Sequence, residues 1–94
     1  MNIQSKINKL IKALNAKGYI YLVNKEQFLS KKSKKVCSIY KLFHLMSIDE
    51  YNKMYPDDRK DSKKYDYVKV EKESSFNPID ILLKLTELYK EVGD

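Results

Sequence analysis

The chain has 94 residues, 43% of them hydrophobic, and carries 19 basic and 13 acidic side chains for a formal net charge of +6. That is enough apolar content for one small core, which excludes a disordered chain and a split into two self-stable halves, and points to a single domain over residues 1–94. No apolar run approaches the roughly 20 residues that span a bilayer, and the opening Met1-Asn2-Ile3-Gln4-Ser5-Lys6 lacks the apolar stretch of a signal peptide, so the expected setting is cytoplasmic with no membrane contact.

Residues 3–16 read as a helix, because Ile3, Ile7, Leu10, Ile11 and Leu14 recur at the spacing of one helical face. Lys6, Lys9 and Lys12 fall on its flank and far side, and Gly18 is placed to stop it in the left-handed conformation. Residues 19–29 read as a strand rich in aromatic and β-branched side chains, with a break expected at the polar run Asn24 to Gln27. Ser30 to Lys35 is a polar connection, and residues 36–46 form a second strand, so the pair makes a hairpin. Without an Asn-Gly or Gly-rich turn, its loop is expected to be wide and mobile.

Ser47-Ile48-Asp49-Glu50 is a capping box that opens a short helix over 48–55, which Pro56 ends. A charged loop over 57–63 follows, then a third strand over 64–72 and a linker from Glu71 to Ser75. Asn77, Pro78 and Asp80 together start a last helix over 77–92. Its stripe of Ile81, Leu82, Leu85, Leu88, Tyr89 and Val92 spans one face, and Gly93 follows as the stop. The order α-β-β-α-β-α predicts a two-layer α+β domain: a three-stranded antiparallel sheet with the N- and C-terminal helices on one face.

Charge is uneven along the chain. Residues 1–46 hold ten Lys against one Glu, or +9, whereas residues 47–94 hold nine basic against twelve acidic residues, or −3. The densest basic group is Lys31, Lys32, Lys34 and Lys35 at the hairpin tip, which with Lys6, Lys9 and Lys12 forms the candidate nucleic-acid contact. The bland alternative is a solvated turn whose lysines protect strand ends from edge pairing. Only Arg59 among the basic residues is arginine, and eight residues are Tyr, a bias that reads as AT-rich codon usage and speaks against bidentate phosphate or base recognition. Tyr19, Tyr21, Tyr65 and Tyr67 offer stacking surfaces on strands, with half-buried packing as the expected role. A winged-helix reader would need a helix-turn-helix pair before the hairpin, and one helix precedes it.

No catalytic, metal or cofactor signature is present, and the chain reads as a non-enzyme. Pro56-Asp57 with Asp61-Ser62-Lys63 superficially matches a PD-(D/E)xK nuclease pattern, yet everything lies in one loop, whereas that pattern needs carboxylates on adjacent strands. Two glycines, Gly18 and Gly93, make no phosphate-cradling loop. The single cysteine, Cys37, reads as a small buried hydrophobe and the single histidine, His44, as an ordinary strand residue; seven residues apart, they fall on opposite faces about 23 Å from each other. Ile79 and Leu83, off the main stripe of the last helix, are the candidate contact for a partner protein or a homodimer.

Several segments carry a resemblance: Asn24-Lys25-Glu26-Gln27-Phe28, Lys35-Val36-Cys37 leading to Tyr40-Lys41-Leu42, Glu50-Tyr51-Asn52-Lys53, and Tyr55-Pro56-Asp57. Together they resemble small uncharacterised prophage and mobile-element proteins of low-GC Firmicutes. The resemblance implies a phage or integrative-element origin and assigns no activity and no functional residue. The function expected is a non-catalytic binding or adaptor protein acting on a protein partner, a class that includes inhibitors of host defence. The alternative is a nucleic-acid-binding accessory protein using the lysine-rich tip.

Overall fold

A computed structural model of the chain describes residues 2–93. Its elements run α1 (Ile3–Ala16), β1 (Ile20–Leu29), β2 (Val36–Ser47), α2 (Ile48–Met54), a 3-10 turn (Pro56–Asp58), β3 (Tyr67–Ser75) and α3 (Pro78–Val92). The three strands form one antiparallel sheet in the order β1-β2-β3. This is the expected α+β architecture and element order.

Local chemistry sets the helix ends. Asn2 caps α1 by accepting the Ser5 N–H at 2.8 Å, Ser47 caps α2 by accepting the Glu50 N–H at 3.2 Å, and Asn77 caps α3 by accepting the Ile79 N–H at 3.0 Å. At the far end of α1, Gly18 turns left-handed (φ 94°). Its N–H then reaches the Asn15 carbonyl and that of Tyr19 the Leu14 carbonyl, both at 3.0 Å, closing a Schellman motif.

Strand alternation decides which side chains enter the core. Tyr21 and Val23 of β1, Tyr40 and Leu42 of β2, and the stripes of α1 and α3 pack together, with Ile7, Leu14, Leu42, Ile81 and Leu85 wholly enclosed. α1 and α3 contact each other while resting on β1 and on β2–β3 respectively. Met46, four residues beyond Leu42 and so on the same face, lines a groove together with His44, also on that face, and with Glu50, Lys53 and Met54 of the adjoining α2. All three helices therefore lie on one side of the sheet.

Four local expectations change. β1 runs unbroken through Asn24–Gln27, because those residues stay in register with Lys41 to Ser38. Cross-strand partners offset their weak strand preference: Glu26 meets Lys41 at 3.3 Å, and the Lys25 ammonium sits 5.8 Å from the Tyr40 ring centre. The irregularity lies instead in β3, where Lys72 is the extra residue opposite the Leu42/Phe43 step.

β3 itself begins at Tyr67 rather than Lys64, because the Asp61 side chain and carbonyl bind the N–H groups of Lys63, Lys64 and Tyr65 and wind that stretch into a turn. It ends at Ser75, so the supposed linker from Glu71 is strand. The hairpin loop is not wide. The Ser30 N–H donates to the Lys35 carbonyl at 2.9 Å, the Lys34 N–H donates to the Ser30 carbonyl at 2.8 Å, and Lys34 takes the left-handed conformation (φ 57°) that a glycine would ordinarily supply.

Candidate protein-binding surface

The sheet has a second face, and no helix of the described residues packs on it. Because Tyr21, Leu42 and Met46 point to the helices, their odd-step neighbours point the other way. On this open side lie Ile20, Leu22, Asn24, Glu26 and Phe28 of β1, opposite Leu45, Phe43, Lys41, Ile39 and Cys37 of β2. β3 adds Tyr67, Lys69 and Glu71 before the bulge and Ser74 after it. The apolar members form two clusters. Ile20, Leu22, Phe43 and Leu45 occupy one end; Phe28, Ile39 and Cys37 occupy the other, joined by Phe76, whose ring centre is 6.1 Å from that of Phe28. Between them runs a polar belt of Asn24, Glu26, Lys41 and Ser74.

The exposure of this face is graded. Leu22, Ile39, Phe43 and Leu45 are half-buried by their in-sheet neighbours, Phe28 is 41% exposed and Tyr67 63%. Lys69 lays its ammonium 4.9 Å from the Phe43 ring centre, a cation–π contact that covers part of an otherwise bare aromatic. Single exposed apolar residues need no explanation, but two apolar clusters gathered on one sheet face do. The open face carries two acidic side chains (Glu26, Glu71) and two basic ones (Lys41, Lys69), so it is neutral on a chain of net charge +6.

The residues singled out by sequence fall elsewhere. Lys31, Lys32, Lys34 and Lys35 are exposed on the hairpin tip, and Lys6, Lys9 and Lys12 are exposed on α1, which lies across the sheet from the open face. None of the seven makes an ion pair among the described residues. Ile79 and Leu83 are 43% and 62% exposed on α3, turned away from its buried Ile81 and Leu85. The four candidate tyrosines do not assemble into a stacking surface: Tyr19 is exposed just before β1, Tyr21 is buried in the helix-side core, Tyr67 lies on the open side, and Tyr65 precedes β3. Cys37 is half-buried on the open face rather than enclosed in the core, since β2 places it opposite Phe28 with no layer above.

His44 is more than an ordinary strand residue. It faces Tyr21 across the β1–β2 ladder, with the two rings stacked 4.6 Å apart. Burial, with Lys72 nearby, lowers its pKa below the ordinary 6.5, and Glu50 opposes the shift. It also lines a mostly apolar groove of about 280 Å³ with Tyr19, Met46, Glu50, Lys53 and Met54.

The charged loop after α2 is ordered by two side chains. Asn52 clamps Lys60 from both sides, accepting its N–H at 2.8 Å and donating to its carbonyl at 3.2 Å. The Tyr51 hydroxyl donates to Asp58, a bond that, with Lys60 beside it, holds the Asp58 carboxyl below its ordinary pKa range. A groove of about 460 Å³ beneath this loop is lined by Asp49, Asn52, Lys53, Pro56 and Arg59. The carboxylates of the nuclease-like pattern thus belong to a self-stabilised loop. No group of three or more His, Cys, Asp or Glu among the described residues is arranged to hold a metal ion, and no described helix is long and apolar enough to cross a membrane.

The open face could not be read from the strand residues as a set, because Ser74 and Phe76 reach it only through a register that the bulge at Lys72 determines. The one legible sign was the odd-numbered run Cys37, Ile39, Phe43 and Leu45 in β2, apolar on both of its faces. Compared with family models, with curated proteins and with solved structures, the chain matches none of them.

Proposed function

We propose that the chain is a small non-catalytic binding protein that docks a protein partner on the open face of its sheet. The observation that supports this is the pair of apolar clusters on that face, Ile20, Leu22, Phe43 and Leu45 at one end and Phe28, Ile39 and Cys37 at the other, half-buried to exposed and separated by the polar belt of Asn24, Glu26, Lys41 and Ser74. A charge-balanced face that carries aromatic side chains, here Phe28, Phe43 and Tyr67, is a composition that suits a protein interface. The resemblance to prophage and mobile-element proteins gives the reading its expected setting, the cytoplasm of a low-GC Gram-positive host.

A second reading has its own observation. The four tip lysines are exposed, and a hydrogen-bonded turn fixes them at the end of a projecting hairpin, which suits contact with a phosphate backbone. Glu26 and Glu71 on the sheet argue against the open face itself as a nucleic-acid platform.

A photo-crosslinking phenylalanine analogue placed at position 43, with position 83 as the control, tests the first reading in cells that carry the gene. Protein adducts from position 43 and few from position 83 are expected; absence of protein adducts at 43 overturns it. Binding to DNA and RNA across a salt series, for the wild type and for Lys31→Glu, Lys32→Glu, Lys34→Glu and Lys35→Glu combined, tests the second. Affinity that survives the fourfold change removes the tip from consideration.

A further inference from the structure

We infer that the occupant of the open face is a second copy of the same chain, giving a symmetric dimer joined sheet to sheet. The inference rests on reading that face as a docking surface and names the partner. Three observations converge on it.

The first is area. The chain exposes 6972 Å² of surface, whereas a closed monomer of 11.2 kDa exposes about 5,700 Å². The surplus, about 1,300 Å² over the whole chain with the hairpin tip and the loop after α2 included, leaves room for the roughly 800 Å² that each partner contributes to an interface of standard size.

The second is shape. The radius of gyration is 15.4 Å, against about 12.4 Å for a closed domain of this length. The molecule measures 42 × 34 × 18 Å, which is two layers thick in its smallest dimension. Stacking a second sheet about 10 Å above the first makes a helix–sheet–sheet–helix sandwich and places the half-bare residues Leu22, Phe43, Leu45 and Ile39 in a shared interior.

The third is self-complementarity. A two-fold interface must match its own surface. The open face is apolar at both ends and polar across the middle, so a two-fold axis through the belt sets apolar on apolar and brings the two Glu26–Lys41 pairs together. Its charges cancel, so two chains of +6 meet through the part of each that does not repel. A polyanion or a strongly acidic protein gains nothing there and is drawn to the tip and to α1 instead.

Sedimentation equilibrium of the purified full chain, from about 1 µM to about 1 mM so as to span moderate and weak association, tests the inference. The expected mass is twice the 11.2 kDa of one chain. Phe43→Glu should weaken association on the order of 100-fold, the effect of removing an aromatic anchor from one apolar cluster and putting a charge in its place. Tyr67→Glu, at an exposed rim position, should weaken it less and keeps the test open if the first variant fails to fold. Leu83→Glu on the outer side of α3 should leave it unchanged. A wild type that stays at 11.2 kDa throughout overturns the dimer, as does a dimer dissociated by Leu83→Glu and not by Phe43→Glu. A monomeric wild type whose position 43 still crosslinks to a different protein sinks the dimer and leaves the binding reading standing. A dimer held through α3, with no adduct at position 43, sinks both.

Discussion

Leu42 and Phe43 are neighbours on the central strand, and the two-layer fold requires them to behave very differently. Leu42 is wholly enclosed in the core with Ile7, Leu14, Tyr21, Ile81 and Leu85. Leu42→Ala withdraws three buried carbons, about 2.4 kcal/mol of transfer free energy, and the enclosed site adds a cavity cost that brings the total to roughly 3–4 kcal/mol. Phe43 has sheet neighbours beside it and Lys69 over it but no layer above. In the isolated chain, Phe43→Ala leaves no cavity and should cost about 1 kcal/mol. At about 4–8 °C per kcal/mol for a domain of this size, the melting temperature should fall by at least about 12 °C for Leu42→Ala and by no more than about 8 °C for Phe43→Ala. Circular dichroism melts at the lowest workable protein concentration measure both. Repeating them at high concentration should raise the cost of Phe43→Ala and leave that of Leu42→Ala nearly constant, because association stabilises the folded state by mass action. Equal losses in dilute solution would refute the assignment of Phe43 to an uncovered face.

Other consequences follow from single residues. Gly18→Ala should cost about 1 kcal/mol through backbone strain alone, since φ is 94° and nothing lies within 4 Å of an added Cβ; thermal melts would show it, with Asn at this position costing less. His44 has a folded-state pKa below its unfolded value of 6.5, so the unfolded chain takes up the proton first. Its contribution to stability is therefore full above 6.5 and declines as pH drops through the window beneath. The melting temperature should fall on acidification from about pH 7.5 to about pH 5, less steeply in His44→Gln; identical pH profiles would contradict the assignment. Asn52→Ala removes both bonds that hold Lys60, each worth about 1 kcal/mol, and should speed tryptic cleavage after Arg59 or Lys60 with little change in global melting.

The helices were legible because their signals are local. The stripes of α1 and α3, the caps Ser47 and Asn77, and the stop at Gly18 each depend on residues within a few positions of one another, and the structure keeps all of them. The strands of the hairpin were legible from β-branched and aromatic content, and with them the α-β-β-α-β-α order. β3 was legible as an element but not in its bounds, since six of its nine residues are Glu, Lys or Ser, and its polar end from Glu71 to Ser75 becomes strand only when β2 is there to pair with it. The bulge at Lys72, the continuity of β1 through its polar stretch and the tight closure of the lysine tip are likewise products of pairing. Above all, periodicity says which residues of a strand share a face but not which face a helix will cover. The sequence by itself determined the elements, the helix-side stripes and the uneven charge. Both long helices on one face were expected from the sequence; tertiary structure alone put α2 on their side too and left Leu22, Phe43, Leu45 and Ile39 on the uncovered face, because that choice is made by the packing of elements far apart in the chain.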